Sequence, residues 1–496
     1  MKLERLPPVR GSLSPSNHPY LNGAWTPLRE EVDAFDLDIL EGAIPRDIDG
    51  VYLRNTENQL HQPLGRYHPF DGDAMLHMIS FRDGAASYRN RFVRTRCFAA
   101  EQEAGGSLWG GLADPPALSK RPGFGAHGGL KDNSSTDVVV HAGRALTTMY
   151  QCGEGYRVDA ETLDTLGPEA WVPIDGISAH PKLDEATGEL MFFNYSKHAP
   201  YLHYGVVDRD NRLTAYQAVP LPGPRLPHDM AFTEHYAILN DMPLFWDAEL
   251  LKKNVHAARL HKGLPSRFAL VPRHGGAVRW FEAEPTYVLH WVNAYEQGDE
   301  IVLDGYFQEE PEPQPRADAP PGYAHMMAYL DEHSFKPKLH RWRFNLRDGT
   351  TREERLDDAI LEFGTINGRV GGRPYRYAYS TLAEPGWFLF NGFARNDLKT
   401  GERREYRLAP GRFASEAPFV ARAGARDEDD GYLVSFVTDE NAGTSECILL
   451  DARAIQDGPV ARIALPHKIC SGTHACWARR DQLFGNQGMN AEVRAT

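Results

Sequence analysis

Four histidines in this sequence lie in local contexts that fix the position of an imidazole. His180 lies between a small residue and a proline, His228 and His290 lie at the edges of strand-like runs, and His474 lies near the C-terminal end. Imidazole is the commonest metal ligand among protein side chains. A single histidine beside a turn is more typical of a surface or core position, so a functional role depends on whether these four act together.

Pro181 predicts a stiff corner at His180. The proline ring disfavours helical backbone in the residue before it, so we expect His180 in an extended conformation. Turn residues and then the strand-like run Leu190–Asn194 follow this corner.

The composition is that of an acidic protein with a substantial core. The 496 residues are 42% hydrophobic, and 54 Lys and Arg residues stand against 68 Asp and Glu residues, which gives a net charge of -14. A surface of this charge repels nucleic acid, so we expect no nucleic-acid partner. No obligate protein partner is indicated either.

The sequence carries no targeting signal that we can identify. Residues 1–8 contain no apolar run typical of a signal peptide, and no stretch approaches the roughly 18 apolar residues of a membrane span. The five cysteines are scattered and form no CxxC pair, which argues against a thiolate zinc site and favours reduced thiols. We expect a cytoplasmic protein.

Short apolar or aromatic runs separated by turn dipeptides dominate the sequence. Asp83-Gly84 and Asp348-Gly349 mark two such turns, as expected of hairpins. Helical periodicity is sparse, and its best candidate is Trp246–Val255. Many hairpins without alternating helices predict a closed all-β array such as a propeller, although the number of blades does not follow from periodicity.

Two Gly- and Pro-rich stretches, residues 105–129 and 309–321, are typical of long surface excursions rather than of linkers between independent cores. We therefore predict a single domain over residues 1–496.

The four histidines occur within motifs that resemble one family. These motifs are Ser-Ala-His-Pro-Lys at His180, His-Asp before Thr-Glu-His-Tyr-Ala-Ile at His228, His-x-x-Asn-Ala-Tyr-Glu at His290 and Gly-x-His at His474. In this order they resemble the iron-binding motifs of the carotenoid cleavage oxygenase family, which also contains stilbene-cleaving dioxygenases and a retinoid isomerase of animal eyes. The resemblance runs from Asn22 to His474. It implies a seven-bladed β-propeller whose loops and short helices cap an axial iron and form an apolar substrate tunnel.

The resemblance also implies that His180, His228, His290 and His474 bind one Fe(II) per chain. Neutral imidazoles leave the charge of the ion uncancelled, and four of them on a roughly octahedral ion leave positions open for O2. Residues so far apart in sequence can converge only where the fold brings strand ends together. This ligand set implies no organic cofactor.

Acidic residues of the family orient the ligand histidines, and two of them match Glu362 and Glu416 in this sequence. The position of a third is occupied by Gln151, whose carbonyl oxygen accepts a hydrogen bond but carries no charge. The alternative is that Glu154 reaches the same imidazole.

Two features bear on the substrate. Stilbene-cleaving relatives bind a phenol with a tyrosine and a lysine. Lys131 either matches this lysine or is a solvated loop residue. Phe98 occupies the position where the tyrosine is expected. The run Met242–Trp246, followed by Leu250–Lys253, is either an apolar lip that makes peripheral contact with a membrane or a buried strand and helix.

We therefore expect an Fe(II)-dependent dioxygenase that cleaves a double bond of a carotenoid or apocarotenoid with O2 to give two aldehydes. Its partner would be an apolar alkene. The alternatives are cleavage of a stilbene or phenylpropenoid, isomerisation of a polyene, and a non-catalytic propeller that binds lipid. The bond cleaved, the cis or trans preference and the oligomeric state do not follow from the sequence.

Overall fold

Strands make up most of this molecule. The computed structural model describes residues 1–124, 129–171, 176–253 and 257–483, and within these ranges it contains 34 strands and five short α-helices. The all-β prediction is confirmed. The residues form two compact units: a terminal unit of residues 1–179, 209–211 and 408 onward, and a central unit of residues 180–208 and 212–407. A single domain over residues 1–496 stays a prediction.

The terminal unit contains three sheets. In order across the first sheet, the strands are β1 (Lys2–Arg5), β2 (Val32–Phe35), β6 (Ala85–Phe92), β5 (Asp73–Arg82), β4 (Gly50–Asn58) and β34 (Ala475–Arg479). The second comprises β10 (Thr165–Pro168), β9 (Tyr156–Asp159), β8 (Arg144–Thr148) and β7 (Asp137–His141). The third comprises β29 (Arg412–Ala414), β31 (Gly431–Asp439), β32 (Thr444–Asp451), β33 (Pro459–Ala464) and β3 (Ile39–Gly42), with β30 (Phe419–Ala421) paired to β31. Helices α1 (Arg96–Ala104) and α5 (Arg480–Leu483) complete the unit.

The two ends of the chain share sheets within this unit. β34 pairs antiparallel with β4 in the register Ala475 to Arg54, and β3 pairs with β33. Residues separated by about 420 positions in the sequence therefore complete the same sheet.

The central unit contains four antiparallel groups of four strands each. They comprise β11 (Lys182–Asp184), β12 (Glu189–Tyr195), β13 (Leu202–Val207) and β14 (Leu213–Ala218); β15 (Ala231–Phe232), β16 (Tyr236–Asp241), β19 (Ser266–Pro272) and β20 (Arg279–Ala283); β21 (Trp291–Gln297), β22 (Glu300–Gln308), β23 (Pro337–Asn345) and β24 (Thr351–Arg355); and β25 (Leu361–Thr365), β26 (Tyr377–Ala383), β27 (Phe390–Asp397) and β28 (Glu402–Arg407). The unit also contains a two-stranded sheet of β17 (Leu244–Trp246) and β18 (Ala258–Leu260). Its helices are α2 (Ala248–Lys252), α3 (Ala324–Ala328) and α4 (Glu332–Phe335).

The turn dipeptides form hairpins as predicted. Asp83 and Gly84 join β5 to β6 with φ angles of 52° and 79°, so both residues adopt the left-handed conformation of a tight hairpin turn. Asp348-Gly349 lies between the paired strands β23 and β24.

The helix predicted over Trp246–Val255 is shorter in the structure. It spans Ala248–Lys252, and the Asp247 carboxylate caps it by accepting hydrogen bonds from two backbone N–H groups. Val255 lies outside the described residues. Residues 125–128 of the Gly- and Pro-rich stretch 105–129 also lie outside them. Leu244 and Trp246 are buried, which agrees with the strand alternative for this run. Within the described ranges, no helix combines the length and apolar character needed to span a bilayer.

Aromatic side chains pack between neighbouring sheets of the central unit. The Trp291 ring lies 5.4 Å from that of Trp342 and 5.8 Å from that of Phe268, within the spacing of favourable aromatic pairs. Trp291 begins β21 and follows His290 directly. The core therefore anchors the strand end that carries this histidine.

The close contact between β12 and β13 yields a stability prediction. A Cβ atom on Gly205 would lie 2.4 Å from the ring of the fully buried Phe192. We expect Gly205→Ala to destabilise the protein by about 1–3 kcal/mol through overpacking, measured as a lower urea midpoint. Gly263→Ala is the control, because apart from its own residue and chain neighbours no atom lies within 4 Å of its added Cβ. Equal midpoints for the two variants would contradict the packing.

Candidate metal centre

Three of the predicted ligands precede the first strands of successive sheets in the central unit. His180 lies two residues before β11, His228 three residues before β15, and His290 one residue before β21. The first strand of the fourth sheet, β25, carries Glu362. The repeated sheets thus place side chains from distant parts of the sequence at equivalent strand ends.

The structure brings these three imidazoles together. Their ring centroids lie 4.8 Å apart for His180 and His228, 5.1 Å for His180 and His290, and 5.2 Å for His228 and His290. His180 and His290 are buried, and His228 is half-buried. Three imidazoles at such spacing form a donor set of the kind that binds transition metals.

One distance tests directly whether this donor set fits a metal ion. The Nε2 atoms of His180 and His228 lie 3.2 Å apart. Two nitrogens that bind one ion at about 2.1 Å and at right angles are separated by about 3.0 Å. The observed separation fits this arrangement.

The ring of His290 is oriented by Glu362. The Glu362 Oε2 atom lies 2.6 Å from His290 Nδ1 and accepts a second hydrogen bond, of 2.8 Å, from the backbone N–H of Phe363. With Glu362 ionised the carboxylate can only accept, and the imidazole then carries its proton on Nδ1 and keeps the lone pair of Nε2 for a metal. Glu362 is fully buried, so the contact is shielded from water.

The backbone at His180 differs from the prediction. Its φ angle is +67°, in the left-handed region, so the expectation of an extended conformation is wrong. Lys182, two residues further on, pairs with Asp229 and begins β11, and these tertiary contacts override the local preference imposed by Pro181. Such a conformation costs about 1–3 kcal/mol and persists only where the surroundings determine it.

The fourth predicted ligand, His474, lies in the terminal unit with an acidic partner of its own. Its Nδ1 atom is 3.3 Å from Oε2 of Glu416, which also accepts a 2.7 Å hydrogen bond from the backbone N–H of Ala475. The backbone N–H of Asn55 donates to the carbonyl of His474. His474 is buried, and its position follows from the pairing of β34 with β4.

Gln151 lies in a turn of the terminal unit. Gln151 and Cys152 have φ angles of 61° and 59°, so two consecutive residues adopt left-handed backbone. The neighbouring Glu154 accepts hydrogen bonds from Arg96 Nε at 2.9 Å and from the Tyr156 hydroxyl at 2.7 Å. The assignment of Gln151, or of Glu154, as a partner of a ligand histidine stays a prediction.

Lys131 is buried rather than solvated. Its ammonium group lies 2.8 Å from Asp73 and 2.9 Å from Glu101. Burial alone would lower the pKa of Lys131, but the two carboxylates outweigh it and raise the pKa above its ordinary value. Phe98 is also buried, and its ring lies 5.6 Å from that of Phe92.

Asp229 is a buried carboxylate beside the histidines; it belongs to the His-Asp motif at His228, but the sequence analysis assigned it no role. It contacts Lys182 and the backbone of Trp291, both close in sequence to ligand histidines. Its position directly after His228 is the sequence signal that could have pointed to it.

Comparison with known proteins identifies the family. The family model described as retinal pigment epithelial membrane protein matches residues 25–479. The chain belongs to this family, the carotenoid cleavage oxygenases. The resemblance inferred from the four histidine motifs is confirmed.

Relatives of this chain match nearly its whole length. It is 31% identical to carotenoid 9,10(9',10')-cleavage dioxygenase 1 of Pisum sativum, over 94% of this chain and 91% of the relative. It is 32% identical to isoeugenol monooxygenase of Pseudomonas putida, over 94% of this chain and 99% of the relative. Because these relatives are named oxygenases, the prediction of an oxygenase is confirmed at that level.

A solved structure supports the same assignment. The lignostilbene dioxygenase of Pseudomonas brassicacearum matches 94% of the present chain and 100% of its own chain, with a TM-score of 0.83 and 28% identity. The prediction of a seven-bladed β-propeller is confirmed by this likeness.

Proposed function

We propose that the chain is a non-haem Fe(II) dioxygenase that adds both atoms of O2 across a carbon–carbon double bond of a carotenoid or apocarotenoid. One double bond is broken, and each of its carbons leaves as a carbonyl, so that two aldehydes form. The observation that carries this proposal is the convergence of His180, His228 and His290 with the carboxylate of Glu362 behind one of them.

In this proposal His474 completes a set of four ligands for one Fe(II) per chain. The support is chemical: His474, like His290, has a carboxylate at its Nδ1 atom, which leaves Nε2 as the donor. Both carboxylates are held by backbone N–H groups, of Ala475 and of Phe363. Neither can swing away without losing that second hydrogen bond.

The residues of the proposed site have two different roles. The histidines would hold the ion, and Glu362, Glu416 and Gln151 would orient the rings. When bound, Fe(II) supplies the activation of O2 that an organic side chain cannot provide. The protein further has to exclude water and to present one double bond of an apolar alkene. No organic cofactor is part of the proposal.

We propose a carotenoid rather than a phenolic substrate because of the two residues at the positions where stilbene-cleaving relatives bind a phenol. Phe98 offers no hydroxyl group, and the ammonium of Lys131 is already held between Asp73 and Glu101. Both observations favour an apolar polyene over a phenolic alkene. A substrate of this kind is collected from lipid, so a cytoplasmic protein with peripheral membrane contact is part of the proposal.

Cleavage of a stilbene or phenylpropenoid is the second candidate. The likeness to a lignostilbene dioxygenase and to an isoeugenol monooxygenase favours it, and the identities of 31% and 32% to carotenoid- and isoeugenol-named relatives do not separate the two candidates. Incubation of the iron-loaded protein with a panel of carotenoids, apocarotenals, stilbenes and isoeugenol, with mass detection of aldehydes, tests them. Aldehydes from the phenolic alkenes alone would overturn the carotenoid proposal.

We expect His290→Ala to lose both iron and activity, because an unfilled ligand position is not repaired by its neighbours. Metal analysis and a turnover assay check this. His235→Ala is the matched control: this histidine of the same unit is 68% exposed and pairs with Glu296, so its removal leaves the iron content unchanged. Full iron occupancy in His290→Ala would contradict the ligand assignment, and a wild-type protein unable to bind about one equivalent of Fe(II) would overturn the proposed function.

The acidic partners yield a ranking of two further variants. Glu416→Gln replaces a charge-assisted hydrogen bond with a neutral one of about half its strength, so we expect turnover to fall about 10-fold or more. Gln151→Glu only adds a charge where the family has one, so this variant stays active. Turnover numbers at equal iron content measure the ranking, and the reverse order would refute the assignment of these partners.

A further inference from the structure

The carboxylate of Asp229 uses both of its oxygens. Oδ1 lies 2.7 Å from the Lys182 ammonium and accepts a 2.6 Å hydrogen bond from the backbone N–H of Met230. Oδ2 accepts a 2.9 Å hydrogen bond from the backbone N–H of Trp291. The side chain is 1% exposed, so these partners replace water almost completely.

The partners of Asp229 are adjacent to three ligand histidines. Lys182 lies two residues after His180, Asp229 follows His228 directly, and Trp291 follows His290 directly. The main-chain carbonyl of Asp229 adds a fourth tie, because it accepts a 2.8 Å hydrogen bond from Asn240 on the neighbouring strand β16. One residue therefore joins the three segments that carry these imidazoles.

Two of the three segments are also anchored to the sheets behind them. The Trp291 ring packs against Phe268 and Trp342, and a Cβ on Gly305 would lie 2.4 Å from it. Lys182 pairs with Met191 at the start of β11. Asp229 thus links strand ends that cannot shift independently, which fixes the distances between their imidazoles.

We propose that Asp229 is a positioning residue for the metal site, which holds the segments of His180, His228 and His290 at the separation that an ion requires. The inference rests on the proposed function, since it concerns the affinity for Fe(II). A carboxylate is required because it accepts from an ammonium and two N–H groups at once. An asparagine carbonyl meets only part of this demand and leaves a buried donor or the Lys182 charge poorly satisfied.

The opposing explanation is that Asp229 only stabilises the core, as any buried ion pair would. Asp397 provides the comparison. It lies in the same unit, is 4% exposed, forms a bidentate pair with Arg376 at 2.8 and 2.6 Å, and accepts a hydrogen bond from the backbone N–H of Lys399. None of these partners adjoins a predicted ligand. Loss of either carboxylate removes an ion pair and a backbone hydrogen bond of similar length, although Arg376 is more exposed than Lys182.

The test compares Asp229→Asn with Asp397→Asn in the full-length protein. The Fe(II) dissociation constant of each variant is measured without oxygen, in competition with a chromogenic chelator. The visible absorption spectra of the Co(II)-loaded variants are compared with that of the wild type. The melting temperature of each metal-free protein reports its stability. We expect a 10- to 100-fold weaker affinity and an altered Co(II) spectrum for Asp229→Asn. Asp397→Asn should stay within about twofold of wild type and keep its spectrum, although both variants melt earlier.

Lys182→Met keeps the test decisive if Asp229→Asn does not fold. It releases only the His180 segment and leaves the hydrogen bond to Trp291 in place, so we expect a smaller loss of Fe(II) affinity than the loss in Asp229→Asn. Wild-type affinity in these variants, or an equal loss in Asp397→Asn, would overturn the positioning role. Failure of the wild type to bind Fe(II) would instead overturn the proposed function.

Discussion

The ion-paired and hydrogen-bonded carboxylate of Asp229 is the constraint on which the candidate site depends. A buried charge is costly unless it is fully paired, so a carboxylate that finds all of its partners at 2.6–2.9 Å tolerates little movement in any of them. Its partners are the ammonium of Lys182 and the backbone N–H groups of Met230 and Trp291, which lie within two residues of His180, His228 and His290 respectively. The geometry of the imidazoles is therefore set first by main-chain positions, before any ring rotates.

Ring orientation is a second and separate constraint. Glu362 at His290 and Glu416 at His474 each accept from an imidazole and from a backbone N–H group. The same device occurs in the central and in the terminal unit. It selects one tautomer and directs Nε2 away from the carboxylate. In the proposed site, such partners would orient the histidines before an ion binds, which would lower the ordering cost of binding.

Local signals in the sequence predicted the local structure. Asp83-Gly84 forms a hairpin turn because both residues tolerate the left-handed backbone that such turns need, and the ordered histidine motifs indicated the family. The predictions from the sequence failed where residues distant in sequence determine the local structure. Pro181 did not keep His180 extended, because contacts of Lys182 fix the corner. Lys131 proved buried because Asp73 and Glu101, far from it in sequence, neutralise its charge. The role of Asp229 depends on three segments that only the folded chain brings together.

The pairing of β34 with β4 has a consequence for how the molecule is made. Until Ala475 is synthesised, β4 is an edge strand of nine buried residues, open to pairing with other chains. At about 5–20 residues per second, the roughly 420 residues between β4 and β34 take about 20–80 s to produce. The strand that then covers this edge follows directly after His474. The same C-terminal segment therefore covers the edge of β4 and carries the last predicted ligand, His474. A chain that ends before this segment lacks both the covering strand and the histidine.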